Sequence, residues 1–551
     1  MNRLRIIFFL FLVGFLIIII RLFSIQLLKA GAYATDYLST QKLTADRGKI
    51  LDRNMEPLAV NQTKYLLYIE PQKMKDKNEL IDELDEILEI GEATLEARID
   101  PEKQWISIKG NLTKETKTKL EALKLPEIGF QEEYDRYYPE SSLAAHLLGF
   151  VGKDDKGENT GYFGVEGYYD RDLTGLPGVL KSERDLFNKP IFFGTQEKVN
   201  AEHGRTMVLT IDKTVQHIIK SKLAAAVEQY KAKAGCVLAV DPYTMEVLGS
   251  ACVPDFDPDE YYDFATDDYK NWMISSVYEP GSTFKPLVMS AAIEEGKLKA
   301  NGNFNEKGPV ELGGYTIRNW NDKYEGKISI TRILEKSSNI GMVHTGDVLG
   351  NEKLYEYIDK YGFNEATGID LQGEISGQVK PLESWYPIDA ATMTFGQGIS
   401  VTAMQLVRAF GALVNGGYLM QPYIVKEMVS DGEKRVREPV TVRRVISERT
   451  SETMKKMLVS TVGNAEAKWD IPEGFTFGGK TGTAQIAFEG NYDATKTVAS
   501  FIGFAPADKP KFLMMVVIRE PSVSSWGSET AAPLFFDIAQ DMLIYYNVSP
   551  S

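Results

Sequence analysis

Between about residue 205 and residue 551, strand signals sit at the two ends and helix signals fill the middle. That order constrains the fold more than any other feature of the sequence. "RTMVLTID" reads as a strand and "KTVQHIIKSKLAAAVEQY" as a helix. "GCVLAV" and "EVLGSACV" follow as a hairpin whose turn, "DPYTM", carries the Asp-Pro pair that favours chain reversal. Helical patterns dominate from Ser282 to about Gly417. One of these helices has explicit ends: Thr402 caps it, Gln405 completes a capping box, Val401 staples onto Leu406, and Gly416-Gly417 stops it. Strands return in "FTFGGKTGTAQIAF", "TVASFIGFAP" and "KFLMMVVIREP", and a last helix lies within "AAPLFFDIAQDMLIYYN". Strands drawn from both ends of one region pair most simply in a single antiparallel sheet with the helical block packed on it, so the predicted fold class is α+β.

The start of the chain imposes a second constraint. Fifteen uncharged residues run from Ile6 to Ile20 behind Arg3 and Arg5. Extended to residues 4–28, with Arg21 snorkelling near one end, the stretch is long enough to span a bilayer. An anchor over residues 1–30 is the favoured reading. The alternative is a cleaved signal peptide, for which Ala30-Gly31-Ala32 offers small residues, although that site lies well beyond the apolar run. Arg3 and Arg5 before the run nearly balance Arg21 and Lys29 after it, so charge alone does not orient the helix. On either reading, residues 31–551 work outside the cytoplasm.

Between these regions, "KYLLYIEP" reads as a strand, and "NELIDELDEILEI" as a helix with Leu80, Ile81, Leu84, Ile87 and Leu88 on one face. "TKETKTKLEALKLPEIGF" reads as a second helix running into a loop. Residues 35–200 hold no nucleophile–base pair and read as a positioning or partner-binding module. The net charge of −15 argues against a nucleic-acid partner, which needs a basic face. Two cysteines and four histidines show no metal-ligand spacing, so no metal or cofactor is expected. Cys236 and Cys252 lie in neighbouring strand-like runs and could face each other; buried free thiols are the expectation.

The chemistry concentrates in three short stretches. In "EPGSTFKP", Ser282 and Lys285 are three residues apart at the start of a helix, so the lysine lies on the same face one turn along. A desolvated lysine near another cation loses its proton readily and can activate a hydroxyl. Taken alone, Ser282 could equally cap the helix. "EKSSNIGM" adds Ser337-Ser338-Asn339, and "GGKTGTAQ" adds Lys480-Thr481-Gly482-Thr483. The order S-x-x-K, S-x-N, K-T-G at wide spacing is the motif set of enzymes that acylate a serine with penicillin.

With these motifs in place, the chain resembles a class B penicillin-binding protein, a membrane-anchored D,D-transpeptidase of cell-wall synthesis. "RGKILDRN", "RYYP" with His146 and Gly149, and "GVEGYYDRDLTG" resemble the family's pedestal, or dimerisation, domain. "YEPGSTFKP", "SSNIGM", "TGIDLQGE", "FGQGISVTAMQL", "GKTGTAQ" and "SFIGFAPA" resemble its catalytic domain. The resemblance implies an anchor at 1–30, a mixed α/β pedestal at 31–200, and a transpeptidase domain at 201–551 with a β-lactamase-like antiparallel sheet covered by helices on both sides. "YEPGS" is more like division-type than elongation-type enzymes. "VGNAEAKWDIP", around Gly463, departs from the Gly-Thr-Gly-like turn of many relatives, which affects loop shape near the cleft.

Carried over, the resemblance implies that Ser282 attacks the penultimate D-Ala carbonyl of a stem pentapeptide and that Lys285 takes its proton. Ser337 would relay a proton to the leaving amine, and Asn339 would hold Lys285 and a substrate amide. Lys480 would act as a fixed positive charge, Thr481 and Thr483 would bind the substrate carboxylate beside Gly482, and the N–H groups of Ser282 and Thr483 would form the oxyanion hole. Implied partners are peptidoglycan stem peptides (lipid-linked or on nascent glycan), β-lactams, a glycosyltransferase and other division membrane proteins. The implied location is a single-pass protein with a cytoplasmic N-terminus. The rival readings are a β-lactamase or β-lactam sensor, a D,D-carboxypeptidase and a non-catalytic division scaffold.

Overall fold

The computed structural model describes residues 2–28, 38–183, 196–430, 432–488 and 491–550. The chain forms two compact units, one of Met1–Gly48 with Arg171–Arg205 and one of Lys49–Asp170 with Thr206–Ser551. In the first unit, helix α1 (Asn2–Phe23) is 22 residues long, roughly 33 Å at 1.5 Å per residue, a length that matches a bilayer core. Its leucines, isoleucines and phenylalanines are exposed all round, the pattern of a helix whose apolar partner is lipid. The candidate cleavage site Ala30-Gly31-Ala32 and the flanking Lys29 lie outside the described residues. The same unit holds a three-stranded antiparallel sheet of Leu38–Leu43, Gly178–Glu183 and Gln196–Val199, in that order.

The second unit contains two large sheets. A seven-stranded sheet runs Glu433–Val436, Val425–Ser430, Thr206–Leu209, Ile50–Leu51, Pro57–Ile69, Ile106–Leu112, with Ile128–Tyr137 also paired to Pro57–Ile69. The expected helix is present as Lys77–Leu88; Asp76 caps it through the amides of Asn78 and Glu79, and Leu80, Ile81, Leu84 and Leu88 are buried. The expectation for "RTMVLTID" needs correction. The strand exists, but it pairs parallel to Ile50–Leu51 and antiparallel to Val425–Ser430, outside the five-stranded sheet that the later strands build. Local pattern identifies a strand; partners more than 150 residues away decide its sheet.

The catalytic sheet has five strands. Helix α2 (Lys213–Gln229) precedes the hairpin β1 (Ala234–Val240) and β2 (Val247–Val253). Helices α3 (Lys285–Glu294), α4 (Asn339–Leu349), α5 (Ala403–Val414) and α6 (Glu448–Gly463) form the middle block. Strands β3 (Gly478–Phe488), β4 (Asn491–Ala505), β5 (Phe512–Arg519) and helix α7 (Ala531–Tyr545) complete the unit. The order is β2-β1-β5-β4-β3 with every pairing antiparallel, so the two ends of the region do close one sheet. Strand alternation assigns the faces. Phe512, Met514, Val516 and Ile518 of β5 join the core built with α2 and α7. Met515 points the other way, where the Tyr278 hydroxyl reaches its sulfur and α5 packs over β5. Thr402 caps α5 as expected, with Gln405 completing the capping box.

The free-thiol expectation is overturned: Cys236 and Cys252 form a disulfide. The β1–β2 register sets the two residues directly opposite each other, Cα atoms 4.1 Å apart. Sequence spacing alone does not report register.

Candidate active site

Ser282 sits in a 3₁₀ turn, Gly281–Phe284, that runs straight into α3. Helix α3 is buried from Lys285 through Ala292, so it is a core helix that fixes the turn at its N-terminus. Pro286 occupies its second position, where a missing N–H disturbs no helical bond. The Ser282 side chain makes no capping bond to the turn; its Oγ is hydrogen-bonded to Ser337 Oγ at 3.0 Å. The cap reading therefore fails.

Lys285 is fully buried. Its Nζ donates to the Ser337 carbonyl at 2.7 Å and to Asn339 Oδ1 at 2.8 Å, and lies 3.1 Å from Ser337 Oγ. Two of these partners only accept, while the hydroxyl can also donate. Nζ donates to Ser337 Oγ as well, and that hydroxyl donates on to Ser282 Oγ; both bonds can reverse by hydroxyl rotation once Lys285 is neutral. Burial, reinforced by the Lys480 charge, pushes the Lys285 pKa well below its ordinary value. The spacing argument led to direct contact between Lys285 and Ser282, whereas the described hydrogen bonds join them through Ser337.

Ser337 adopts φ +58°, a left-handed conformation that costs a non-glycine residue about 1–3 kcal/mol. It bridges the helix Ile330–Glu335 and α4. Ser338, the middle residue of the motif, caps α4 through the Gly341 amide and donates to Glu306. Asn339 Nδ2 donates to the Arg318 carbonyl, fixing its Oδ1 toward Lys285. Sequence reasoning missed Glu306, Asn319 and Lys336, which support this loop from below. As isolated polar residues they carry no sequence signal.

Lys480 lies on the edge strand β3, and its Nζ donates to the carbonyl and hydroxyl of Thr481. Burial pushes its pKa down to about 7, so desolvation works against the fixed positive charge that the resemblance implies. The glycine of the motif has a steric reason. A Cβ on Gly482 would lie 2.5 Å from Ser500 Oγ and 2.9 Å from a Thr283 methyl, so only glycine lets β3 lie against the turn that carries Ser282. Gly396, at φ +80°, packs its backbone on Gly281 in the same way. Thr483 Oγ1 accepts from the Gly527 amide at 3.0 Å, which leaves its hydrogen free to donate.

All eight residues singled out from the sequence, Ser282, Lys285, Ser337, Asn339 and Lys480 through Thr483, converge here; all but the buried Lys285 line one cavity of about 450 Å³. Ala465, Glu466 and Ala467 of the divergent loop line it too. Trp320 and Trp526, which meet edge to face at 5.3 Å, were not foreseen.

The fold and the cleft are those of a penicillin-recognising serine enzyme. Residues 235–540 match the family model of the penicillin binding protein transpeptidase domain, and residues 42–209 that of the penicillin-binding protein dimerisation domain. Stage V sporulation protein D of Bacillus subtilis (strain 168) is 36% identical over 521 residues, covering 92% of this chain and 79% of its own. Peptidoglycan D,D-transpeptidase FtsI of Escherichia coli (strain K12) is 31% identical over 524 residues, covering 93% and 86%. The solved structure of penicillin binding protein 3 from Mycobacterium tuberculosis, complexed with aztreonam, superposes with a TM-score of 0.72 at 26% identity, covering 93% of this chain and 98% of that one. The chain belongs to the class B penicillin-binding proteins, the peptidoglycan D,D-transpeptidases.

Proposed function

We propose that Ser282 is the nucleophile of this transpeptidase. It attacks the penultimate D-Ala carbonyl of a stem pentapeptide, releases terminal D-Ala, and passes the acyl group to an amine of a neighbouring stem peptide. One observation carries the assignment: the path Ser282 Oγ–Ser337 Oγ–Lys285 Nζ, with steps of 3.0 and 3.1 Å, in contact with the cavity that holds Lys480. The Ser282 proton passes through Ser337 to the Lys285 lone pair as the bond to carbon forms. When the tetrahedral intermediate collapses, Ser337 hands a proton to the departing amine. Asn339 holds Lys285 and a substrate amide.

Lys480, with the hydroxyls of Thr481 and Thr483, binds the terminal carboxylate of the donor peptide. A bound carboxylate favours the ammonium form that burial disfavours, so the donor restores the charge that recognises it. The amides of Ser282 and Thr483 serve as the oxyanion hole, usually the largest electrostatic contribution in acyl transfer. Penicillin enters as a donor mimic; a relative complexed with aztreonam supports this.

Helix α1 serves as a single-pass anchor with its N-terminus in the cytoplasm. Residues 31–200 act as the pedestal and 201–551 as the transpeptidase domain outside the membrane. The natural partners are stem peptides on lipid-linked or nascent glycan, with a glycosyltransferase and other division proteins beside the enzyme. Service in division rests on the "YEPGS" resemblance. The test is mass spectrometry of the full chain in detergent after incubation with penicillin. A persistent adduct on Ser282 is expected; an adduct on another residue, or turnover within seconds, overturns the assignment.

A further inference from the structure

Beneath the Ser337 loop lies a buried polar cluster centred on Glu306, the last residue of the short strand Asn303–Glu306. Glu306 is 1% exposed, and four donors surround its carboxylate. Oε2 accepts from Lys336 Nζ at 2.8 Å and the Glu325 amide at 3.1 Å. Oε1 accepts from Ser338 Oγ at 2.5 Å and Asn319 Nδ2 at 2.9 Å. Asn319 extends the grip, its Oδ1 accepting from the amides of Asn339 and Ile340 at the start of α4. The two residues flanking Ser337 are thus tied to one carboxylate. Ser337, held between them at φ +58°, turns its own side chain the opposite way, toward Ser282 and Lys285.

We propose that Glu306 is a positioning residue for the acyl transfer: by gripping Lys336 and Ser338 on either side of Ser337, and the first amides of α4 through Asn319, it holds Ser337 Oγ between Ser282 and Lys285. This rests on the acyl-enzyme reading above. Glu306 touches neither substrate nor reacting atoms; it acts through Ser337. A grip at one neighbour only would leave the left-handed backbone free to relax toward an ordinary conformation and carry the hydroxyl out of line. Misplacement of a reacting group by about 1 Å costs on the order of 10²-fold in rate.

The test uses the full chain in detergent and resolves penicillin acylation into non-covalent affinity (Kd) and acylation rate (k2), measured on the fraction that active-site titration counts as folded. Glu306→Gln keeps the acceptor for Asn319 and Ser338 but loses the one shared by Lys336 and the Glu325 amide. A fall in k2 of about 10²-fold is expected, with Kd unchanged because Lys480 and Thr483 are untouched. The double variant Glu306→Gln/Lys336→Met also removes the Lys336 ammonium, which in the single variant keeps only the Glu325 carboxylate at 3.6 Å. Its melting temperature should return toward that of the wild type while k2 stays low, because one flank of Ser337 remains untied. A purely structural role predicts that k2 recovers together with melting. That result, wild-type k2 in either variant, a loss carried by Kd alone, or absence of folded protein in both variants overturns the proposal. Failure of the wild type to form any adduct on Ser282 instead overturns the acyl-enzyme reading.

Discussion

The two large sheets of the second unit differ in how they meet solvent. All eight residues of β5 in the catalytic sheet are buried or nearly so, with helices on both faces. In the seven-stranded sheet all four residues of Glu433–Val436 are exposed, and only one residue of Ile128–Tyr137 is buried. A doubly covered sheet is close-packed, and it holds an edge strand such as β3 at a fixed distance from the helix facing it. The proposed acyl transfer needs that constancy, since Lys480 on β3 and Ser282 in the turn before α3 belong to different elements. The open sheet has no such demand and keeps free surface.

The sharpest way to test this contrast is at the lysine between sheet and helix block. Lys285→Arg places a permanent cation there and removes the base, because guanidinium does not deprotonate in proteins. Penicillin acylation should fall by at least ~10²–10⁴-fold with melting checked alongside; acylation at the wild-type rate would show that the proton goes elsewhere.

Core truncation compares the sheets directly. Phe501→Ala on β4, buried against α7, should lose about 3–5 kcal/mol in denaturant titration. Val436→Ala on the open sheet, 49% exposed, should change stability by no more than about 0.5 kcal/mol. Equal losses would remove the distinction.

Glycines sharpen it further. Gly482→Ala forces β3 away from the Ser282 turn and should slow acylation about 10²-fold. Gly110→Ala, on a strand of the open sheet where the new Cβ meets nothing closer than 3.4 Å, should leave acylation unchanged.

The smallest effect concerns the charge on β3. The proposed mechanism requires Lys285 neutral and Lys480 charged, so the second-order constant should rise with pH as Lys285 gives up its proton. It should fall again as Lys480 loses its charge near pH 7. The two lysines interact, so the limbs report the pair. Lys480→Arg should retain most activity at the wild-type optimum and lose the alkaline limb, read from pH profiles of both proteins. An unchanged alkaline limb would assign it to another group.

Much of the site was legible in the chain because it is written locally. Ser282 and Lys285 are three residues apart, Ser337 and Asn339 two, and Lys480 to Thr483 are contiguous, so each fragment is recognisable without its partners. The same holds for the Thr402–Gln405 capping box, the face of Lys77–Leu88 and the apolar run of α1, all set by helical periodicity. Glu306 was illegible because nothing near it hints at its role; Ser338 is 32 residues away and Lys336 is 30.

The sequence by itself determined the helix and strand segments, the closing of one sheet by both ends of its region, and the candidate side chains that the structure brings to one cleft. These depend on spacing within a few residues and on apolar pattern. Only the tertiary structure decided that Thr206–Leu209 joins the other sheet and that Cys236 pairs with Cys252. It alone set Ser337 at φ +58° between Ser282 and Lys285, and it buried Lys480 far enough to bring its pKa to about 7. Register, backbone strain and desolvation arise from groups brought together across long stretches of chain, and no local pattern encodes them.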